Sequence, residues 1–392
     1  MSIDPDGLVT ERRARLHDTM TAAGVKALLT ADPFSIRYAT GTRNMLVHGL
    51  TGPDRLALVI ADGPTILWEF GGCEHVTAAA RHVDEFREAP PLSAKKRIDP
   101  AAAITEFAAE IGALLDASGS STASLAIDRL EVPVVDALRA RGVTTTDGVV
   151  VMQQAMAIKQ PSEVTAMRRA VVATEEATRA LEAAVAPGRT EQEVWAEFFR
   201  SLVAGGGELV VTRLLQAGVR TFPYFQEASE HVMTDGDLVC FDTDAVAVGG
   251  YSVDFSRTFL CGSGAPTERQ RALYRLARAQ LRHNAANLRP GRTFEEFAAL
   301  AFDVPEPYVR YGYYQLAHGL GLAGGHPNVP RLGEEPYPLP GTIEPGMVIC
   351  VESYVGDPET RQGVKLEDQF VIHDNDVESM STYRFDDRLG SE

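Results

Sequence analysis

Residues 241–260 read FDTDAVAVGGYSVDFSRTFL, and this stretch decides the fold. Asp242 and Asp244 lie two apart in a β-forming run, which predicts both carboxylates on one face of a strand. Gly249 and Gly250 permit the turn that brings Asp254 alongside them on a second strand. MVICVESYV (347–355) and VKLEDQFVI (364–372) repeat the device. Glu352 and Glu367 stand in these runs, joined by the turn-rich GDPETRQG at 356–363. Carboxylates clustered on sheet faces repel one another, and burial raises their pKa values. Divalent cations resolve that conflict. His318, in LAHGLGL at 316–322, adds one nitrogen donor, and Gly319 and Gly321 would let backbone approach a ligand closely. The expected metal ligands are therefore Asp242, Asp244, Asp254, His318, Glu352 and Glu367. Such an oxygen-rich set with one imidazole favours iron, manganese, cobalt or zinc. Two of the carboxylates can bridge a pair of ions, so the expected cofactor is two divalent metal ions.

Working outward, this half of the chain contains a faint repeat. VAPGRTEQEVWAEF (185–198) and LRPGRTFEEFAALAF (288–302) share PGRT, placed after one helix and before another. Thr190 with Glu193, Thr293 with Glu296, and Thr267 with Gln270 have the spacing of N-terminal capping boxes. Strands follow in each half: ELVVTRLL, DLVCFDTD and YSVDFSRTFL in the first, VRYGYYQLA, MVICVESYV and VKLEDQFVI in the second. A duplicated helix–helix–strands unit is the plain reading. Its boundary falls near MAIKQPSEVTAMRRA (156–170): Pro161 disfavours helix before it, and Ser162 can cap a helix running to about Val185.

Residues 1–155 alternate α and β patterns. Helix-like ERRARLHDTMTAAG precedes the apolar run VKALLT, and LALVIA and TILWEF flank the turn residues Asp62, Gly63 and Pro64. Helical AAAITEFAAEIGALLDA leads into the strand pattern ASLAID. The expectation is α/β throughout, with a domain at 1–155 and a second at 160–390. A chain of 392 residues exceeds what one core supports, in keeping with two domains.

A formal charge of −17 argues against a nucleic-acid partner, which needs a basic face. No stretch approaches the ~20 apolar residues of a membrane helix. The N-terminal MSIDPDGLVTERRARLHDTM lacks a secretory pattern. Cys73, Cys240, Cys261 and Cys350 form no metal-finger spacing; the last three sit in apolar runs and read as small buried hydrophobes. A cytoplasmic compartment is expected.

These segments resemble the pita-bread superfamily of methionine aminopeptidase, Xaa-Pro peptidases and creatinase, carried by FDTDAVAVGGYSVDFSRTF, AHGLGL, IEPGMVICVES and GVKLEDQ. The resemblance spans residues 160–385, and the preceding domain is similar to the creatinase-type N-terminal domain. It implies that Asp254 and Glu367 bridge the metals, with Glu352, His318 and the first-strand Asp as terminal ligands. It also implies a homodimer, in which YATGTRNM (38–45) could border the partner's site. The peptidases carry their first Asp eleven residues before the bridging one, where this chain has Thr243 between Asp242 and Asp244. That FDTD variant is similar to the branch of iron-dependent dimethylsulfoniopropionate lyases, as are FPYFQEASE, YGYYQLAHG, KLEDQ and STYRFDDRLG. The peptidases' upstream His is missing from Phe222–Gln226, and their second His would fall at Gly325, one residue before His326. The acid that those lyases carry six residues after the ligand His is here Gly324.

Two reactions stay open. The first is a metal-dependent lyase on a small carboxylate-bearing zwitterion, with His326 or Tyr313 as base and Tyr224, Phe225 and Tyr311 facing an onium group. The second is dipeptide or amide hydrolysis, with Glu352 shuttling the proton. A non-enzymatic binding module is disfavoured because every acid is present.

Overall fold

The protein is described from a computed structural model over residues 4–50, 52–120, 124–331 and 339–390. It divides into two units, Met1–Met156 and Ala157–Glu392. Among the described residues no helix is long and apolar enough to cross a membrane.

The first unit runs α1 (Pro5–Ala22), β1 (Ala27–Thr30), α2 (Pro33–Thr40), the single turn α3 (Val47–Leu50), β2 (Leu56–Ile60), β3 (Thr65–Glu69) and a second turn α4 (Glu74–Thr77). It continues with β4 (Glu85–Glu88), α5 (Ala101–Ala117), β5 (Leu125–Asp128), α6 (Val132–Ala140), β6 (Thr145–Asp147) and α7 (Gly148–Ala157). Asp4 and Asp32 cap α1 and α2, each followed by a proline at the first helical position, where its missing N–H costs nothing. The strands form one mixed sheet, β4-β3-β2-β1-β5-β6. Leu29, Leu58, Trp68, Phe107 and Leu125 fill its core, each removal from water contributing about 1.5–3 kcal/mol.

The second unit opens with α8 (Pro161–Ala184) and α9 (Glu191–Ala204). Gln160, rather than Ser162, caps α8: Pro161 takes the first helical position, and Glu163 closes a capping box with Gln160. Capping boxes at Thr190–Glu193, Thr267–Gln270 and Thr293–Glu296 open α9, α10 (Glu268–Asn287) and α11 (Phe294–Ala299). The strands are β7 (Leu209–Val210), β8 (Leu215–Ala217), β9 (Leu238–Asp242), β10 (Ala245–Val246), β11 (Ser252–Val253) and β12 (Ser256–Leu260). After α11 come β13 (Gln315–Leu320), β14 (Gly324–Pro330), β15 (Val348–Asp357), β16 (Gln362–Ile372), β17 (Val377–Ser379) and the turn α12 (Asp387–Gly390).

Three expected strands are interrupted. ELVVTRLL splits into β7 and β8, and YSVDFSRTFL breaks at Asp254–Phe255. VRYGYYQLA begins as a 3-10 turn at Tyr308–Tyr311 and becomes strand only at Gln315. An eight-stranded sheet runs β14-β13-β15-β16-β12-β9-β8, with β17 on β16. Its register places the chemistry. Glu352 pairs with Glu367, Glu367 with Ser256, and Ser256 with Asp242, one row across four strands. The next row is His318–Cys350–Gln369, and on the other side Tyr354 pairs with Lys365. Paired residues share a face. From the opposite face, Ile349, Val351 and Leu366 pack with Leu273, Ala277 and Leu281 of α10 in one core.

Candidate metal centre

The polar rows converge on His318. Its Nε2 lies 3.4 Å from Glu367 Oε1, 3.5 Å from Glu352 Oε1 and 3.6 Å from Asp254 Oδ2. Burial opposes protonation of the imidazole, but Glu352 and Glu367 outweigh it and raise its pKa to about 10. One donor atom from each of Asp254, His318, Cys350 and Glu367 falls within 4.8 Å of the others.

Asp242 and Asp244 both reach this centre, though not as successive residues of one strand. β9 ends at Asp242, and Asp244 takes a positive φ of 36°, turning the chain into β10. Asp242 Oδ2 accepts the Tyr224 hydroxyl at 2.7 Å, while its Oδ1 accepts Thr243 N–H at 3.0 Å. Asp244 accepts a hydrogen bond from Thr212, and burial, then Asp242, pushes its pKa up to about 6. Burial likewise drives Asp254 well up and Glu352 up to about 7, with Glu367 the next cause in each case.

Lys365 was not among the residues expected at the site. Its Nζ lies 2.7 Å from Glu352 Oε2, 2.8 Å from Glu367 Oε2, 3.1 Å from Asp242 Oδ2 and 2.6 Å from Ser256 Oγ. Burial disfavours its charge, yet Asp242, Glu352 and Glu367 more than compensate and raise its pKa. The signal was in the sequence: Lys365 precedes Glu367 by two in KLEDQ, hence on the same face.

One ammonium and one imidazolium do not satisfy five carboxylates. Asp254 Oδ1 is buried without a hydrogen-bond donor, a costly state for a carboxylate oxygen. Hard oxygens with one imidazole suit a divalent cation, so Asp244, Asp254, His318, Glu352 and Glu367, with Asp242 adjoining, fit a metal centre.

An aromatic wall adjoins the carboxylates. Tyr224 and Tyr313 are buried with Leu214 and Tyr354, and Lys365 Nζ stands 4.9 Å from the Tyr313 ring centre. Phe225 and Tyr314 continue the wall outward, 56% and 50% exposed, with rings 4.9–5.9 Å from their neighbours. Burial and Glu352 hold both the Tyr313 and Tyr314 phenols up, so they stay protonated at neutral pH. Tyr311 packs edge-on against Phe222.

His326 is not brought to the centre. Its exposed ring meets Phe294 of α11 edge-on at 5.5 Å, and Phe294 shares the core of Ile349 and Val351, opposite Glu352. The register shift between His318–Asn328 and Gly319–Gly325 explains this, because a bulge resets which residues face inward. Gly319 serves that bulge: a Cβ there would fall 2.1 Å from the His326 carbonyl oxygen. Its close approach is to backbone.

Comparison with known proteins agrees with this geometry. The model of metallopeptidase family M24 matches residues 165–374, and that of the creatinase/prolidase N-terminal domain matches 12–147. The chain is 33% identical over 386 residues to the dimethylsulfoniopropionate lyase DddP of Roseovarius nubinhibens, covering 96% of this chain and 86% of that one. It is also 33% identical to the lyase of the same name from Roseobacter denitrificans, with the same coverage. The prolidase structure from Pyrococcus horikoshii superposes with a TM-score of 0.77 over 96% of this chain and 99% of that one, at 21% identity, a likeness of fold. The creatinase-type domain followed by a pita-bread domain, expected from sequence, is thus the architecture found. The chain belongs to metallopeptidase family M24, as an enzyme whose described carboxylates and imidazole form a metal-binding group.

Proposed function

We propose that this protein is a metal-dependent lyase that cleaves a small carboxylate-bearing zwitterion by β-elimination, as in a dimethylsulfoniopropionate-type reaction. The observation that carries the reading is the aromatic wall of Tyr224, Phe225, Tyr313 and Tyr314 beside a carboxylate–imidazole centre. Lys365 already lies against two of those rings, and aromatic faces hold an onium group by the same attraction. Similarity to two lyases along nearly the whole chain agrees with it.

Asp244, Asp254, His318, Glu352 and Glu367 would hold two divalent ions of iron, manganese, cobalt or zinc. Bound ions supply positive charge for the substrate carboxylate and for the electron density that develops beside it. The chain's own groups do the rest. Tyr224 and Lys365 fix Asp242 from two sides, and Lys365 neutralises the carboxylates nearest the wall. The protonated phenols of Tyr313 and Tyr314 donate to substrate oxygen, while Phe225 faces the cationic end. Glu352, beside Tyr313, would take the proton from the carbon next to the substrate carboxylate.

The test is headspace analysis of purified, iron- or manganese-loaded protein given dimethylsulfoniopropionate. Dimethyl sulfide and acrylate in equal amounts are expected, abolished by Asp254→Ala. No sulfide from protein shown to hold metal would sink this reading. The alternative, dipeptide hydrolysis, is favoured by the family match and the prolidase-like fold. It expects free proline from Xaa-Pro dipeptides.

A further inference from the structure

Cys350 reads in the sequence as a buried apolar thiol, but the structure puts it elsewhere. It shares a sheet face with Glu352 and pairs with His318 across β13 and β15. Its Sγ stands 3.6 Å from the Asp254 carbonyl oxygen and within 4.8 Å of donor atoms on Asp254, His318 and Glu367. Ligand atoms around one tetrahedral ion stand about 3.3–3.8 Å apart, so a contraction of up to about 1 Å closes the set. A second observation points into the same space: Asp254 Oδ1 is fully buried without a hydrogen-bond donor.

We propose that Cys350 is a sulfur ligand on the His318 side of the metal centre, making that position accept softer ions than carboxylates and imidazole alone would. The inference rests on the metal-centre reading above. As the ion enters, the sulfur–hydrogen bond breaks, its proton passes to solvent, and the sulfur lone pair forms the bond to the metal. Thiolate favours zinc, cobalt and cadmium over manganese.

Full-length protein stripped by chelator and refilled with cobalt(II) alone tests this. A near-ultraviolet sulfur-to-cobalt charge-transfer band is expected together with the visible d–d bands. Cys350→Ser should keep the bound cobalt and the d–d bands, lose the near-ultraviolet band, and lower affinity for cadmium relative to manganese about tenfold. Bound cobalt with d–d bands but no charge-transfer band in the native protein overturns the sulfur ligand and leaves the metal centre standing. A protein that takes up no cobalt overturns both. The native spectrum decides the matter even where Cys350→Ser fails to fold. A band that survives in a folded Cys350→Ser protein assigns the sulfur to another cysteine and also overturns the proposal.

Discussion

Lys365 is the ammonium that meets the carboxylates of the centre. It is fully buried, and its ammonium is the counter-charge to Asp242, Glu352 and Glu367. Removing one partner from a buried ionic cluster typically costs about 3–5 kcal/mol, because the remaining charges stay uncompensated. Lys365→Met is expected to lower the stability of chelated protein by about that amount in urea unfolding, and added manganese to restore part of it. An unchanged midpoint would show that the carboxylates are neutral there. Gly324 is the opposite case: a Cβ there would meet no heavy atom within 4 Å, so an acid fits without strain. If the lyase reading holds, Gly324→Asp supplies the acid that the resembling lyases carry, and turnover should rise by up to roughly 10²-fold, the lower range for a positioned base. A loss of turnover would mean that the open space receives substrate. Lys159 offers a test in pH. Burial lowers its pKa from 10.5 to about 8, with its Nζ donating to the Ala157 carbonyl at 3.0 Å. The unfolded chain therefore holds this proton more tightly, and stability contributed by Lys159 rises as pH climbs from about 8 to 10.5. Lys159→Met is expected to remove that slope and to gain on the order of 1–3 kcal/mol at pH 7. An identical slope in the variant would rule the residue out.

At the scale of elements, the two PGRT segments do the same work. Each breaks a helix and starts another through a Thr–Glu capping box, at Thr190–Glu193 and Thr293–Glu296. Thr190→Ala and Thr293→Ala should each cost about 1 kcal/mol, measured by thermal unfolding. Equal stability in both variants would mean that packing alone holds these helix starts. The helices and capping boxes were legible because they depend on residues three or four apart. The long strands β15 and β16 were legible from their apolar runs. The interruptions were not. Asp254 lies in a two-residue break between β11 and β12, and Asp244 turns out of its strand, although both stand in runs that read as continuous β. Period-2 reasoning placed Asp244 on a strand face, whereas the chain turns at that residue.

For the whole molecule, the decisive quantity is charge. Five carboxylates face one lysine and one histidine, and a net charge of −17 offers no further compensation. Metal binding is therefore expected to be folding energy: at a free ion concentration about 100 times Kd, the gain is about 2.7 kcal/mol per site. Chelation should lower the Tm of the second unit by several degrees, given about 2–4 °C per kcal/mol for a domain of this size. Calorimetry that finds the same Tm with and without chelator would argue that the cluster is satisfied without cations. The sequence alone determined the two-part α/β organisation and the capped helices, since these follow from local periodicity and residue spacing. Only the tertiary structure decided that Lys365 sits at the centre, that Cys350 faces His318, and that His326 packs against Phe294. The physical reason is register: pairing across β13, β15 and β16 aligns residues distant in sequence, and one bulge in β14 turns a side chain to the other face.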